Sequence, residues 1–164
     1  MLYFILAAAL TALDQLVKFL VRANIPLGDS VPFIPHVMEL TYVQNTGAAF
    51  SLFSGHTWAL GIVSLLVSLV LAAALMKPVF RHPVGRACLA VVLAGAVGNL
   101  IDRFALGFVT DMFRTLFIRF AVFNVADICV VCGAVLAVIY YLWFYEKYDK
   151  RGKAHGDADA PSES

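Results

Sequence analysis

The sequence predicts an all-α membrane protein with four transmembrane helices, a small β-sheet outside the bilayer and an interfacial helix. Of its 164 residues, 62% are hydrophobic and 14% are charged, whereas a soluble domain carries about 25% charged residues. The apolar residues fall into four blocks, and each is close to the roughly 20 residues that a helix needs to cross a bilayer. Short polar segments separate the blocks, which leaves little chain for a soluble domain.

The four apolar blocks place the spans at residues 3–21, 58–76, 87–104 and 122–144. The first block contains Asp14 and Lys18 and has no basic segment before it, so we expect a retained span and not a cleaved signal peptide. Residues 1–145 therefore form one predicted membrane domain. The polar, low-complexity residues 146–164 are expected to be a disordered tail.

Two longer segments connect the spans. Residues 22–57 contain several prolines and an alternating run from Val37 to Val43, which is typical of short strands broken by turns. The stretch from Gly47 to Phe53 is amphipathic and aromatic, so we expect it to lie at the membrane interface. Residues 105–121 form a second exposed stretch, rich in aromatic residues.

The basic residues predict the orientation of the chain. Lys77, Arg81 and Arg86 lie in the linker between the second and third spans, and the tail begins with further lysines. Because basic loops stay in the cytoplasm, both termini are predicted to be cytoplasmic. The segments 22–57 and 105–121 then face the periplasm.

Charged groups inside a span are costly and are usually paired or functional. Asp14 and Lys18 are four residues apart and share a helix face. The later spans repeat this pattern at helical spacing with Asn99, Asp102, Arg103, Asn124 and Asp127. A rise of about 1.5 Å per residue brings these groups to one level near the periplasmic face. Asp111 can fold back to the same level.

Four carboxylates are thus expected in one layer. Asp14 has Lys18 nearby, and Asp102 has Arg103 beside it, but Asp111 and Asp127 have no basic neighbour in the local sequence. Two unpaired carboxylates near one apolar site tend to share a proton, as an aspartic protease requires. A transporter or proton relay would use the same residue types, and a non-catalytic scaffold could use them to join helices. The residues alone leave these alternatives open.

Other classes of function are disfavoured. The net charge is +1 and there is no basic stripe, so we expect no nucleic-acid partner. The histidines are scattered over loops and tail, so we expect no metal site.

Five motifs in order resemble those of the lipoprotein signal peptidase (signal peptidase II) family. They are Asp14–Lys18, Asn45–Ser51, Gly98–Arg103, Val109–Phe113 and Phe123–Asp127. The resemblance extends from about Leu13 to Tyr145. Each motif alone is weak, but five in order on four spans are highly specific.

The resemblance implies that Asp111 and Asp127 form a catalytic dyad that needs no metal or cofactor. It implies a prolipoprotein substrate whose cysteine carries diacylglycerol, cut just before that cysteine at the outer side of a bacterial inner membrane. We expect a monomer in contact with membrane lipid. The implied supporting residues are Asp14, Lys18, Asn45, Gly47, Ala48, Gly98, Asn99, Asp102, Arg103, Asn124 and Ala126. Residues 22–42 resemble a small sheet that cradles the substrate, and residues 47–53 a mobile helix that closes over it.

Overall fold

Four long helices dominate the fold. The structure, a computed structural model, describes residues 1–47, 55–77 and 79–150. The helices are α1 (Leu2–Asn24), α2 (Thr57–Met76), α3 (Pro83–Ala105) and α4 (Val125–Trp143). Each is long and apolar enough to cross a membrane. The predicted class, a four-span helical protein with a small sheet, is confirmed.

Two helices, α3 and α4, begin three or more residues away from the expected start, and their caps explain the difference. The helix α3 begins at Pro83, after His82, whose side chain accepts a hydrogen bond from the Val84 N–H at 3.3 Å. Proline suits the first turn because it has no N–H to leave unpaired. The helix α4 begins at Val125 because Asn124 and Asp127 form a capping box across its first turn.

A three-stranded antiparallel sheet lies outside the helices. Its strands are β1 (Ser30–Ile34), β2 (Met38–Asn45) and β3 (Val109–Thr115), in the order β1-β2-β3. The first two occupy the segment in which strands were predicted, but β3 was not predicted. The first four residues of β3 are all buried, so the strand lacks the apolar–polar alternation that reveals a half-exposed strand.

The helix α3 is the centre of the bundle. Half of its apolar window is buried (50%), against 17–22% for the other three helices. Glycines allow α4 to approach its backbone: a Cβ atom on Gly95 would lie 2.3 Å from the Ala126 carbonyl oxygen, and one on Gly133 would lie 3.0 Å from the Val92 nitrogen. Small residues at such interfaces let membrane helices pack backbone to backbone.

A buried ion cluster joins α1 to the other helices. The Lys18 side chain is 0% exposed, and its Nζ lies 2.9 Å from Asp14 Oδ2 and 3.3 Å from Asp102 Oδ2. It also donates a hydrogen bond to Asn99 Oδ1 at 3.0 Å. Asp14 Oδ1 accepts a hydrogen bond from the Ala126 N–H at 2.8 Å, at the start of α4. One lysine therefore holds α1, α3 and α4 at one level.

The expected pairing of Asp102 with Arg103 is wrong. Asp102 pairs with Lys18, and it accepts hydrogen bonds from Gln15 Nε2 at 3.0 Å and from the Thr110 N–H at 2.9 Å. Arg103 is the next residue on the helix, and a turn of about 100° separates the two side chains. The carboxylate therefore anchors the start of β3 to α3.

The first residues of the predicted tail pack against the helices. Glu146–Lys150 forms a π-helical turn, and Asp149 is only 3% exposed. Its carboxylate accepts hydrogen bonds from the Arg81 N–H, from the His82 N–H and from the Tyr140 hydroxyl. These contacts hold the turn against the start of α3. Residues 151–164 and most of the expected interfacial helix, residues 48–54, lie outside the described residues.

The close α3–α4 contact predicts a strong effect of one methyl group. Gly95→Ala should lower the free energy of unfolding by about 1–3 kcal/mol, because the new Cβ would meet backbone atoms of α4 that cannot move aside. Gly61→Ala is the matched control, since its Cβ would lie 3.4 Å from the movable Phe104 ring. Thermal unfolding in detergent measures both, and equal stability of the two variants would contradict the close packing.

The ion cluster predicts a larger effect for Lys18→Met. This change leaves Asp14 and Asp102 buried without their cation, so we expect a loss of about 3–5 kcal/mol of stability. Arg22→Met, one turn further along α1, removes a single hydrogen bond to Thr110 Oγ1 and should cost about 1 kcal/mol. Denaturant titration of both variants in micelles distinguishes the two, and a Lys18→Met protein as stable as Arg22→Met would rule out this role of Lys18.

Candidate active site

Asp111 lies on β3, where the sheet meets the helices. It is paired with Val43 across the β2–β3 ladder and is 2% exposed. Its Oδ1 accepts a hydrogen bond from Asn124 Nδ2 at 2.6 Å, and its Oδ2 accepts one from Asn45 Nδ2 at 2.9 Å. Two neutral amides therefore hold this carboxylate, one from each side.

Asp127 lies in the first turn of α4 and is half-buried. Its Oδ1 accepts a hydrogen bond from Asn99 Nδ2 at 2.8 Å, and its Oδ2 accepts one from the Asn124 N–H at 3.1 Å. The Asn124 side chain thus contacts Asp111 while its backbone contacts Asp127, so this one residue fixes both carboxylates.

The orientation of the asparagine amides follows from their neighbours. Asn99 Oδ1 accepts hydrogen bonds from Lys18 Nζ and from Asn124 Nδ2, at 3.0 and 3.1 Å, so the Asn99 amide group must face Asp127. Asn124 Oδ1 accepts the Asp127 N–H at 2.9 Å, so its amide group must face Asp111. Because lysine is only a donor, it sets the direction of the whole chain of hydrogen bonds.

No cation pairs with either of these two carboxylates in the part of the chain that the structure describes. Lys18 pairs with Asp14 and Asp102, and Arg114 pairs with Glu39. Burial, and next the negative charge of Asp127, raise the pKa of Asp111 to about 6, against the hydrogen bonds from Asn45 and Asn124. Asp111 can therefore hold a proton near neutral pH, as a carboxyl group must to act as an acid.

Arg103 lies one turn after Asn99 on α3 and borders the same cavity as the two aspartates. It donates to Ser64 Oγ at 3.2 Å and lies 3.5 Å from the Gly47 carbonyl oxygen. Its buried Nε has no hydrogen-bond partner among the described residues. A buried donor without a partner is costly, so this Nε–H can still donate a hydrogen bond to a bound molecule.

A cavity of about 550 Å³, which we call the helix cavity, opens onto both aspartates. Asn45, Asn99 and Arg103 line its polar end. Its apolar wall comes from α2 and α4 and includes Val63, Val67, Val130, Val131 and Cys132. An apolar pocket with a few convergent polar groups is the usual form of a binding site.

The small residues predicted for the site make room for, or orient, the polar side chains around the two aspartates. A Cβ atom on Gly98 would lie 2.6 Å from Asp14 Oδ2 and 3.2 Å from the Ala126 Cβ, so both small residues make room for that carboxylate. The Gly47 N–H donates to Asn45 Oδ1 at 2.9 Å, which turns the Asn45 amide group towards Asp111. Ala48 lies outside the described residues.

Sequence reasoning missed three polar residues near the site. Gln15 donates to the Gly98 carbonyl oxygen at 3.1 Å, Ser64 holds Arg103, and Thr110 joins Asp102 to β3. Gln15 could have been found, because it is a polar residue inside a span next to Asp14. Ser64 could not have been found from the sequence, because serine is common in membrane helices, where its hydroxyl donates to a backbone carbonyl one turn earlier. Ser64 itself donates to the Leu60 carbonyl oxygen in this way.

Comparison with known proteins identifies the family. The model of the signal peptidase (SPase) II family matches residues 6–143. A lipoprotein signal peptidase from Enterococcus faecalis is 43% identical over 151 residues, which are 92% of this chain and 93% of the relative. One from Clostridioides difficile is 42% identical over 147 residues, 90% of this chain and 99% of the relative.

Solved structures show the same fold. A bacterial membrane enzyme solved at 2.3 Å superposes with a TM-score of 0.80 at 30% identity, covering 85% of this chain and 87% of that one. A second, solved at 1.9 Å, gives a TM-score of 0.78 at 29% identity, with 87% and 93% covered. On the family match and these relatives, the chain belongs to the signal peptidase II family, and it is a multi-pass bacterial membrane protease.

Proposed function

We propose that Asp111 and Asp127 are the catalytic pair with which this enzyme removes the signal peptide from a prolipoprotein. The observation that supports the proposal most directly is the pair itself. Two carboxylates without a cation are linked through Asn124 and open onto the helix cavity. Asp14 and Asp102 also lie in this layer, but both are paired with Lys18.

The two carboxylates can divide the chemistry of peptide hydrolysis. One takes a proton from water as the water oxygen attacks the scissile carbonyl carbon, and the other donates its proton to the carbonyl oxygen. When the tetrahedral intermediate collapses, the carbon–nitrogen bond breaks and the leaving nitrogen receives the proton that the base took from water. The new carboxyl group forms as one hydroxyl of the intermediate returns its proton to the other aspartate. No metal or cofactor enters this scheme.

We assign the proton to Asp111 and the negative charge to Asp127. Asp111 is the more buried of the two, and burial disfavours the charged form of a carboxylate. Asp127 lies at the N-terminus of α4 and accepts the Asn124 N–H, where the helix dipole attracts negative charge. Asp127 is then the base that activates water, and Asp111 is the acid.

The helix cavity suits a lipid-modified substrate. Its apolar wall faces the bilayer region between α2 and α4, where diacylglyceryl chains and an apolar signal sequence would lie. Arg103 can donate to a substrate carbonyl through its free Nε. We propose that cleavage occurs just before the diacylglyceryl-modified cysteine, whose lipid holds the bond at the level of the aspartates.

We also propose that the site faces the outer side of the cytoplasmic membrane. An even number of spans supports an arrangement with both ends of the described chain on one side, away from the sheet. That side carries Lys77, Arg81, Arg86 and Lys147, as expected for a cytoplasmic face. A proton relay is not favoured, because the family match and the relatives are peptidases.

The dyad predicts that Asp111→Asn and Asp127→Asn each lower kcat by at least about 100-fold, since each removes a group that transfers a proton. The assay follows cleavage of a diacylglyceryl-modified precursor by purified enzyme in micelles. Asp29→Asn, an exposed aspartate near the sheet, is the control and should retain activity. Near-normal turnover by either dyad variant, with folding intact, would refute the pair.

The hydrogen bond from Asn45 predicts a shift in the pH profile. It stabilises the charged form of Asp111, so Asn45→Ala should raise the pKa of Asp111 above its value of about 6. Because the acid form is active, kcat/KM falls as pH rises through this pKa. The alkaline limb should therefore move to higher pH in Asn45→Ala.

The neighbouring Gln44→Ala is the matched control for the pH experiment. Gln44 donates to the Tyr42 hydroxyl and not to Asp111, so its alkaline limb should coincide with that of the unmodified enzyme. A limb that moves to lower pH in Asn45→Ala, or moves equally in both variants, would contradict the assignment of the proton to Asp111.

A further inference from the structure

A second cavity meets the helix cavity at Asp111. We call it the sheet cavity. It has a volume of about 800 Å³ and is lined by the ends of β2 and β3 and by residues 116–122. The two cavities share Asn45, Asp111 and the segment 120–122. A substrate that occupies both must therefore pass Asp111.

The two cavities suit different parts of a substrate polypeptide. The helix cavity lies among membrane-spanning helices and has an apolar wall, which suits the signal sequence and the lipid. The sheet cavity lies outside the spans, and Gln44, Thr46, Arg114 and Arg119 are among its lining residues. Such a lining suits a polar polypeptide outside the bilayer, and its volume is in the range of sites that enclose a short ligand.

One cation in the sheet cavity is available for a ligand. Arg114 is engaged, since it pairs with Glu39 at 2.9 Å and donates to Ser30 Oγ at 3.2 Å. Arg119 is exposed and makes no hydrogen bond or ion pair within the described residues. The cavity therefore presents one unpaired positive charge.

We propose that the sheet cavity binds the residues that follow the modified cysteine, and that Arg119 selects for an acidic side chain among them. The inference rests on the proposed function, because the scissile bond must lie at Asp111, between the two cavities. In the bound substrate, the signal sequence then extends from Asp111 along the helix cavity, and the mature chain extends along the sheet cavity. Arg119 is a specificity-determining residue and takes no part in the chemistry.

The test exchanges charge on both partners. Diacylglyceryl-modified precursors carry Asp or Lys at each of the first few positions after the cysteine, and kcat/KM is measured in neutral detergent. At one of these positions the unmodified enzyme should prefer Asp over Lys by about threefold, as expected for an exposed ion pair. Arg119→Glu should reverse the preference, and Arg119→Gln should abolish it.

The ratio of kcat/KM for the Asp precursor to that for the Lys precursor is independent of effects that change the activity of a variant on all substrates. A new charge near Asp111 could change the rate for all precursors. This common effect cancels when kcat/KM for the Asp precursor is divided by kcat/KM for the Lys precursor on the same variant. Lys147→Glu changes the net charge equally at the opposite end of the protein, where Lys147 is exposed, and should leave the preference unchanged. Added salt should reduce the preference, since exposed charges are screened.

Two results would overturn the proposal. The first is that Arg119→Glu leaves the Asp/Lys ratio unchanged. The second is that Arg119→Glu slows both precursors equally and only in vesicles of phosphatidylglycerol, which would assign Arg119 to a lipid headgroup. Asp111→Asn, assayed alongside, separates this inference from the proposed function. Activity of Asp111→Asn would refute the dyad. If Asp111→Asn is inactive and Arg119→Glu leaves the Asp/Lys ratio unchanged, only the role of Arg119 is refuted.

Discussion

One buried ammonium group determines the electrostatics of the whole polar layer. Lys18 is fully buried and contacts Asp14, Asp102 and Asn99. A buried charge is tolerated only when it is paired and hydrogen-bonded, and this cluster satisfies its members across three helices. The same cluster keeps the only buried lysine of the described chain away from direct contact with Asp111 and Asp127. Asp14 and Asp102 are paired with this cation, and Asp111 and Asp127 have no ion pair among the described residues.

Asparagine suits the positions between the two pairs for a physical reason. An arginine or lysine in place of Asn45 or Asn124 would favour the ionised form of Asp111. An apolar residue would leave carboxylate oxygens without donors. The amide groups orient the carboxylates without adding a positive charge, and the pKa of Asp111 stays raised to about 6.

The sequence predicts most of this arrangement, because charges inside an apolar span are rare and their spacing defines a helix face. It therefore predicts the four spans, and it selects Asp14, Lys18, Asp102 and Asp127 as the groups to explain. It fails where the partner is distant in sequence. Asp102 lies beside Arg103 in the chain but pairs with Lys18, 84 residues away by numbering. Local spacing carries no information on which of two cations faces the acid.

The strand β3 and the turn at Asp149 were missed for a related reason. The alternation rule assumes that one face of a strand is exposed, and the start of β3 is covered on both faces. The polar composition of residues 146–150 indicates disorder, yet Asp149 is buried because three donors from the start of α3 and from Tyr140 converge on it. In both cases tertiary contacts outweigh local composition.

The same residues that cap the start of α4 also hold the two carboxylates of the site. Asn124 caps the helix with its side-chain oxygen, and Asp127 completes the box by accepting the Asn124 N–H. These are ordinary helix-capping contacts, but here the capping residue also donates to Asp111. The helix cannot begin elsewhere without separating the two carboxylates, so the cap that stabilises α4 also positions Asp127 relative to Asp111. The site is therefore as rigid as the helix end that carries it.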